Sequence, residues 1–389
     1  AFFSVPIIYT PVSLFLTQYT TISRNYQYIT NTCNNYYDMI KCFWGCGMSR
    51  NIKIETSKKL LDENGELSCA GWANHLILEY NPENIRANKL RIKEWDYYLI
   101  TSSEGNYALS FCIADNRYMG LVNAAVMDLN TKEKFDFLEP LIFPMGRLKL
   151  PRTSETGNIA FRSKHCYFHI DKTKNITHIY CKITRCYMHS DFEADIFLEK
   201  PPSDTMVIAT PWATDKKAFY YNQKITCMRA KGYAKIKRKE YVFDNTKDFG
   251  ILDWGRGVWT YDNTWYWGIG SGKVNGKDFG YNIGYGFGDT SAASENMLFY
   301  DGKSHKLDLI DFGVGFDVMK KWHITSNDNR FKGEFFPEFN DRTDLSLGFV
   351  SQRADKLFGR INATAVLDDG TTLNIENMLV FHEIVHNRY

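Results

Sequence analysis

From residue 48 to its end, the chain reads as short runs in which apolar and polar side chains alternate, each closed by turn residues. Alternation with a period of two sends successive side chains to opposite faces, the pattern of strands in a sheet. Turn chemistry stands at Glu63-Asn64-Gly65, Leu129-Asn130-Thr131, Asp301-Gly302 and Asp368-Asp369-Gly370. The last separates 359–367 from 371–381, which together read as a hairpin. Helical spacing is scarce; only 82–94 and 291–298 could hold short helices. Regular short strands predict an all-β barrel or sandwich. So long a run of strands is unwieldy as one sheet, so two antiparallel barrel-like halves are expected, 48–215 and 216–389. Lys200-Pro201-Pro202 breaks the first strand series just before that join.

Residues 253–289 combine Asp253 and Arg256 with four tryptophans and a ladder of glycines. From Phe279 the odd positions are Phe279, Tyr281, Ile283, Tyr285 and Phe287, and the even ones are glycine except Asn282. Upstream, Trp265, Trp267 and Ile269 share one face, with Gly268, Gly270 and Gly272 on the other. Val274-Asn275-Gly276-Lys277 predicts a type I′ hairpin turn between the two runs. Glycine in a strand marks a bend or the close approach of a ligand or another backbone. A curved barrel wall and a ligand-binding face are therefore both open readings. The glycines alternate within a strand and open no helix, so this is no dinucleotide fingerprint.

Composition narrows the class. The chain has 389 residues with net charge +2, which leaves no electrostatic footprint for nucleic acid. Lys235, Lys237, Arg238 and Lys239 read as a solvated strand end. No stretch approaches the ~20 apolar residues of a membrane helix. Nine cysteines, odd in number and mostly isolated, suggest a reducing, cytoplasmic setting. Cys42/Cys46 and Cys181/Cys186 lack the second pair of a zinc site. Residues 1–47 carry only Arg24, Asp38 and Lys41 as charges, with no clear period. They are expected to be a non-native or disordered leader, with Met48 as the natural start.

His382-Glu383-Ile384-Val385-His386 matches the H-E-x-x-H pattern of zinc proteases, which requires a helix. Here it follows a strand-like run, and on a strand the two histidines would lie roughly 13 Å apart. No metal site is expected.

Several blocks carry a family resemblance: Tyr220-Tyr-Asn-Gln-Lys224, Asp253-Trp-Gly-Arg-Gly257, Tyr281–Asp289, Glu295-Asn-Met297, Leu367–Gly370 and Glu383–Arg388. Together they resemble the family named domain of unknown function 2804, from about Leu60 to the end. The leader has no counterpart there, and His382 departs from the expected pattern. The resemblance implies a lipocalin-like (calycin) fold, similar to hydroxyneurosporene synthase, tocopherol cyclase and fungal intramolecular Diels–Alderases. Such proteins hold large apolar substrates and need no cofactor; fold alone does not fix function.

The residues suggest the chemistry. In an apolar pocket the Asp253 carboxyl would be a proton donor, and a close Arg256 would oppose that. If Arg256 pairs elsewhere, for instance with Asp289 or Glu295, Asp253 is freed. Trp259, Tyr261, Trp265 and Trp267 could offer π faces to a developing cation. Asn282 could orient water or a substrate oxygen. Glu295, Asn296, Asp289, Tyr221, Asn222 and Lys224 complete the candidate ligand set. The opposing reading makes Asp253–Arg256 a local salt bridge and the tryptophans core. The expected partner is an apolar small molecule, acted on by a cofactor-independent hydratase, lyase or cyclase. The alternatives are a non-catalytic carrier and a carbohydrate-active protein.

Overall fold

The computed structural model describes residues 50–187, 190–348 and 350–389. The leader and Met48 lie outside them. Among the described residues, thirteen strands join in one sheet and nine in a second, with antiparallel pairing throughout both. These are the two lipocalin-like halves of an all-β fold.

Nine strands build the site. In the first sheet they are β1 (Ile92–Ser102), β2 (Tyr107–Asp115), β3 (Met119–Asp128), β4 (Asp215–Ile236) and β5 (Phe249–Val258). In the second they are β6 (Asp262–Val274), β7 (Lys277–Tyr285), β8 (Val350–Val366) and β9 (Thr372–Arg388). The first sheet thus runs through Val258 and the second starts at Asp262, so the expected join at 215/216 needs correction. The Pro201-Pro202 break does interrupt the ladder, but the next strand, Met206–Trp212, returns to the same sheet by pairing with β4.

Strands at the centre of this fold are buried on both faces. In β1, Tyr98 and Ile100 enter the interior of the first half, while Leu99 joins an apolar layer between the sheets. All ten residues of β5 are buried. In the second half the odd face of β7, with Phe279, Tyr281 and Ile283, fills the interior against Leu357, Ile361 and Val380. That aromatic wall is therefore core. The bare face of β7 looks instead toward the first sheet. A Cβ on Gly280 would stand 2.9 Å from Thr226 Cβ and 3.0 Å from Cys227 Sγ, so glycine lets β7 and β4 approach.

The expected turns form. Asn275 and Gly276 both take positive φ, 51° and 76°, as a type I′ hairpin requires. The hairpin at 368–370 joins β8 to β9. The segments 82–94 and 291–298 do not form helices. The first holds only two three-residue 3-10 turns, at Pro82–Asn84 and Lys89–Arg91, and the second is irregular before a short strand. Asn81 and Asn88 cap these turns, but neither continues, because Ile85 and Ile92 turn the backbone extended, the latter at the start of β1. The basic run 235–239 sits exposed at the end of β4 and the start of the following strand. Among the described residues no helix is long and apolar enough to cross a membrane.

Candidate functional site

The apolar layer between the sheets is incomplete. At one end it gives way to a cavity of about 250 Å³, walled by β1–β5 on one side and β6, β8 and β9 on the other. Ligand pockets typically occupy about 300–1,000 Å³, so this one suits a small ligand. Eight of its twenty lining residues are aromatic, so rings form a large part of the wall. Phe287 sits at the centre of one cluster, edge-on to Trp259, Trp265 and Tyr220 at 4.8, 5.3 and 4.9 Å between centroids.

Strand parity decides which polar groups face this space. Asp253 points into the cavity, and Arg256, three residues on, points to the opposite face. Arg256 is fully buried in the first half, where it donates to Asp96 at 3.0 Å and to the carbonyls of Trp95, Gly255 and Pro151. Lys172 meets the same carboxylate at 2.8 Å. Burial alone would push the Asp96 carboxyl up, but Lys172 and Arg256 overcome it and hold it below the usual range. Arg256 thus anchors the wall from behind, a correction to its expected catalytic place, and its partner is neither Asp289 nor Glu295.

Asp253 instead pairs with Lys224, directly across the β4–β5 ladder, at 2.8 Å. Its other oxygen accepts from the Asn222 amide at 2.6 Å. The Lys224 ammonium also lies 4.0 Å from the Trp267 ring centroid. Two carboxyls face this pair from the second half, each fixed through an indole of β6. Trp265 Nε1 donates to Glu383 at 2.7 Å. Trp267 Nε1 donates to Asn282 Oδ1 at 2.7 Å, and the Asn282 amide donates to the Glu295 carbonyl at 2.8 Å and reaches its carboxylate at 3.4 Å. Asn282 is therefore a bracket behind the cavity. Glycine is needed at 284 beside it, since a Cβ there would come within 2.8 Å of the Tyr266 backbone carbonyl as well as of Glu295 Oε1. Burial raises the pKa of both carboxyls, and the Asp253 charge adds to this; Lys224 opposes it at both. Lys356, cross-strand from Glu383, opposes it there as well.

Of the candidates, Asp253, Lys224, Trp259, Trp265, Trp267 and Glu295 line the cavity. Asn222 supports Asp253. Tyr221 points into the first half, where its hydroxyl donates to the Leu78 carbonyl. Asn296 accepts from the Gly284 amide and donates to the Asp308 carbonyl. Asp289 caps Ser291, and Tyr261 is 47% exposed beneath the Arg388 guanidinium. These four are placed away from the cavity. Sequence reasoning missed Trp95, Tyr97, Lys356, Glu383 and Tyr389 as lining residues. Glu383 stood in a quoted block, hidden by the histidine motif. That motif lies within β9: His382 points into the second half beside the Tyr281 hydroxyl at 2.8 Å, and His386 is exposed against Asp262.

Among solved structures the chain is similar to CghA with Sch210972 (8% identity, 77% of this chain and 89% of that one, TM-score 0.45). It is also similar to kievitone hydratase from Nectria haematococca (10% identity, 88% and 98%, TM-score 0.48). Likeness at this level carries no argument about the site. No curated protein matches the chain. The profile of the domain of unknown function DUF2804 matches residues 51–389, almost the whole described chain, and the protein belongs to that family.

Proposed function

We propose that the inter-sheet cavity binds an apolar small molecule and moves a proton on it without a cofactor, as a hydratase, lyase or cyclase does. The observation that carries this is the pairing of unlike carboxyls across a ring-lined space. Asp253 is committed to Lys224 and Asn222, while Glu383 and Glu295 are pushed toward their protonated forms. Carboxyls whose environments differ in this way divide acid and base roles. Glu383 is the proton donor in this reading. Asp253 faces the cation that develops on the ligand, together with the rings of Trp259, Trp265 and Trp267. The expected acid role of Asp253 thus moves to Glu383, because Asp253 already has a cationic partner.

Native mass spectrometry of the purified chain identifies any co-purifying ligand. Incubating that ligand with the protein in D₂O then reads proton transfer as deuterium gained at a ligand carbon. Glu383→Gln is expected to retain the ligand and lose the exchange. Wild-type protein that holds the ligand but catalyses no exchange would instead be a carrier, the second reading, which the ring-lined cavity supports equally.

A further inference from the structure

Lys93 has no part in the chemistry above and does not itself line the cavity, but it stands directly behind the lining, against Tyr389. It shares a face of β1 with Trp95 and Tyr97, both of which line the cavity. Its cross-strand neighbour on β5 is Gly257, which presents no side chain to cover it. The residue is only 1% exposed. Its amine lies 4.5 Å from the ring centroid of Tyr389, itself a lining residue, and 4.6 Å from that of Tyr118. One hydrogen bond holds it, to the Tyr118 hydroxyl at 3.4 Å. The nearby carboxylates are used elsewhere: Glu94 and Asp115 both bind Arg117. A buried lysine amine just behind the cavity lining, set between two rings and with its neighbouring carboxylates paired to Arg117, is an unusual arrangement for a structural cation.

We propose that Lys93 captures an apolar aldehyde or ketone in the cavity by forming a Schiff base. This rests on the reading of the cavity as a ligand site. The neutral amine is the nucleophile, and desolvation favours it. Burial, with Arg91 adding to it, brings Lys93 down to about 7, so free amine is plentiful at neutral pH. The two lysines that line the cavity are less suited: Lys224 is ion-paired, and Lys356 lies cross-strand from Glu383. In the reaction the Nζ lone pair bonds to the carbonyl carbon, and the carbonyl π pair moves to oxygen. A proton passes from nitrogen to that oxygen, giving a carbinolamine. The oxygen then leaves as water with the second nitrogen proton, and the C=N bond forms. Nothing is oxidised or reduced. The Tyr118 hydroxyl, raised to about 12 by burial, stays protonated and can relay the proton.

The test treats the full chain with trans-cinnamaldehyde, reduces with sodium borohydride and maps adducts by peptide mass. Cinnamyl alcohol, nearly the same shape without a carbonyl, is titrated in parallel by quenching of tryptophan fluorescence. One adduct on the Lys93 peptide is expected. Lys93→Met and Lys93→Arg are expected to lose it while still binding the alcohol. Having two variants guards against one failing to fold. Alcohol binding with no adduct, or with adducts scattered over other lysines, overturns the capture and leaves the ligand cavity standing. Failure to bind either compound overturns both.

Discussion

The Lys224–Asp253 pair offers a sharp energetic test. The two side chains are 4% and 11% exposed and 2.8 Å apart. At an effective dielectric of about 20, opposite charges ~4 Å apart attract by about 4 kcal/mol, and desolvation offsets much of this. Removing one partner leaves the other charge buried and unpaired, which costs about 3–5 kcal/mol. Lys224→Met leaves Asp253 with the Asn222 amide alone, so a loss of about 3 kcal/mol is expected. Asp253→Asn leaves the ammonium over the Trp267 ring, which retains about 0.5–2 kcal/mol, so a smaller loss of about 2 kcal/mol is expected. The double variant holds neither charge and is expected to be no worse than Lys224→Met, giving a coupling of about 2 kcal/mol. Urea unfolding followed by tryptophan fluorescence and far-UV circular dichroism measures all four corners of the cycle. Losses that add to within about 0.5 kcal/mol would refute the view that the two charges depend on each other.

Three further outcomes follow from the packing. Burial depresses His382 to about 3, so the unfolded chain binds a proton there between pH ~6.5 and ~3 that the folded chain refuses. Stability therefore falls as pH drops through that window, by up to about 1.4 kcal/mol per pH unit, and His382→Gln is expected to remove this component. Glu295 and Glu383, raised in the fold, contribute the opposite slope, so the wild-type-minus-variant difference is the quantity to measure. Asp96, held low by Lys172 and Arg256, contributes stability that is present above the unfolded carboxylate value and lost as pH falls below ~4; Asp96→Asn is expected to flatten the acid limb of the stability curve there. Gly280→Ala forces a methyl against Thr226 and Cys227 and is expected to cost about 1–3 kcal/mol by urea midpoint, whereas Ala at the open, exposed Gly315 costs far less.

Much of the architecture was legible in the chain. The period of two gave the strands, Asn275-Gly276 and Asp369-Gly370 gave their hairpins, and the Trp265–Trp267 face was recognised as special. Parity along a strand is a local property, and it already separates Asp253 from Arg256 and Lys224 from Tyr221. What alternation leaves open is which face meets which neighbour. In a strand buried on both sides each face is apolar, so Phe279 and Tyr281 read as well for a ligand wall as Trp265 and Trp267 do. Only the packing of one sheet against the other made the first pair core and the second pair a cavity wall. It also brought Glu383 from β9 to face Asp253 from β5, residues 130 positions apart, through contacts that no local spacing encodes.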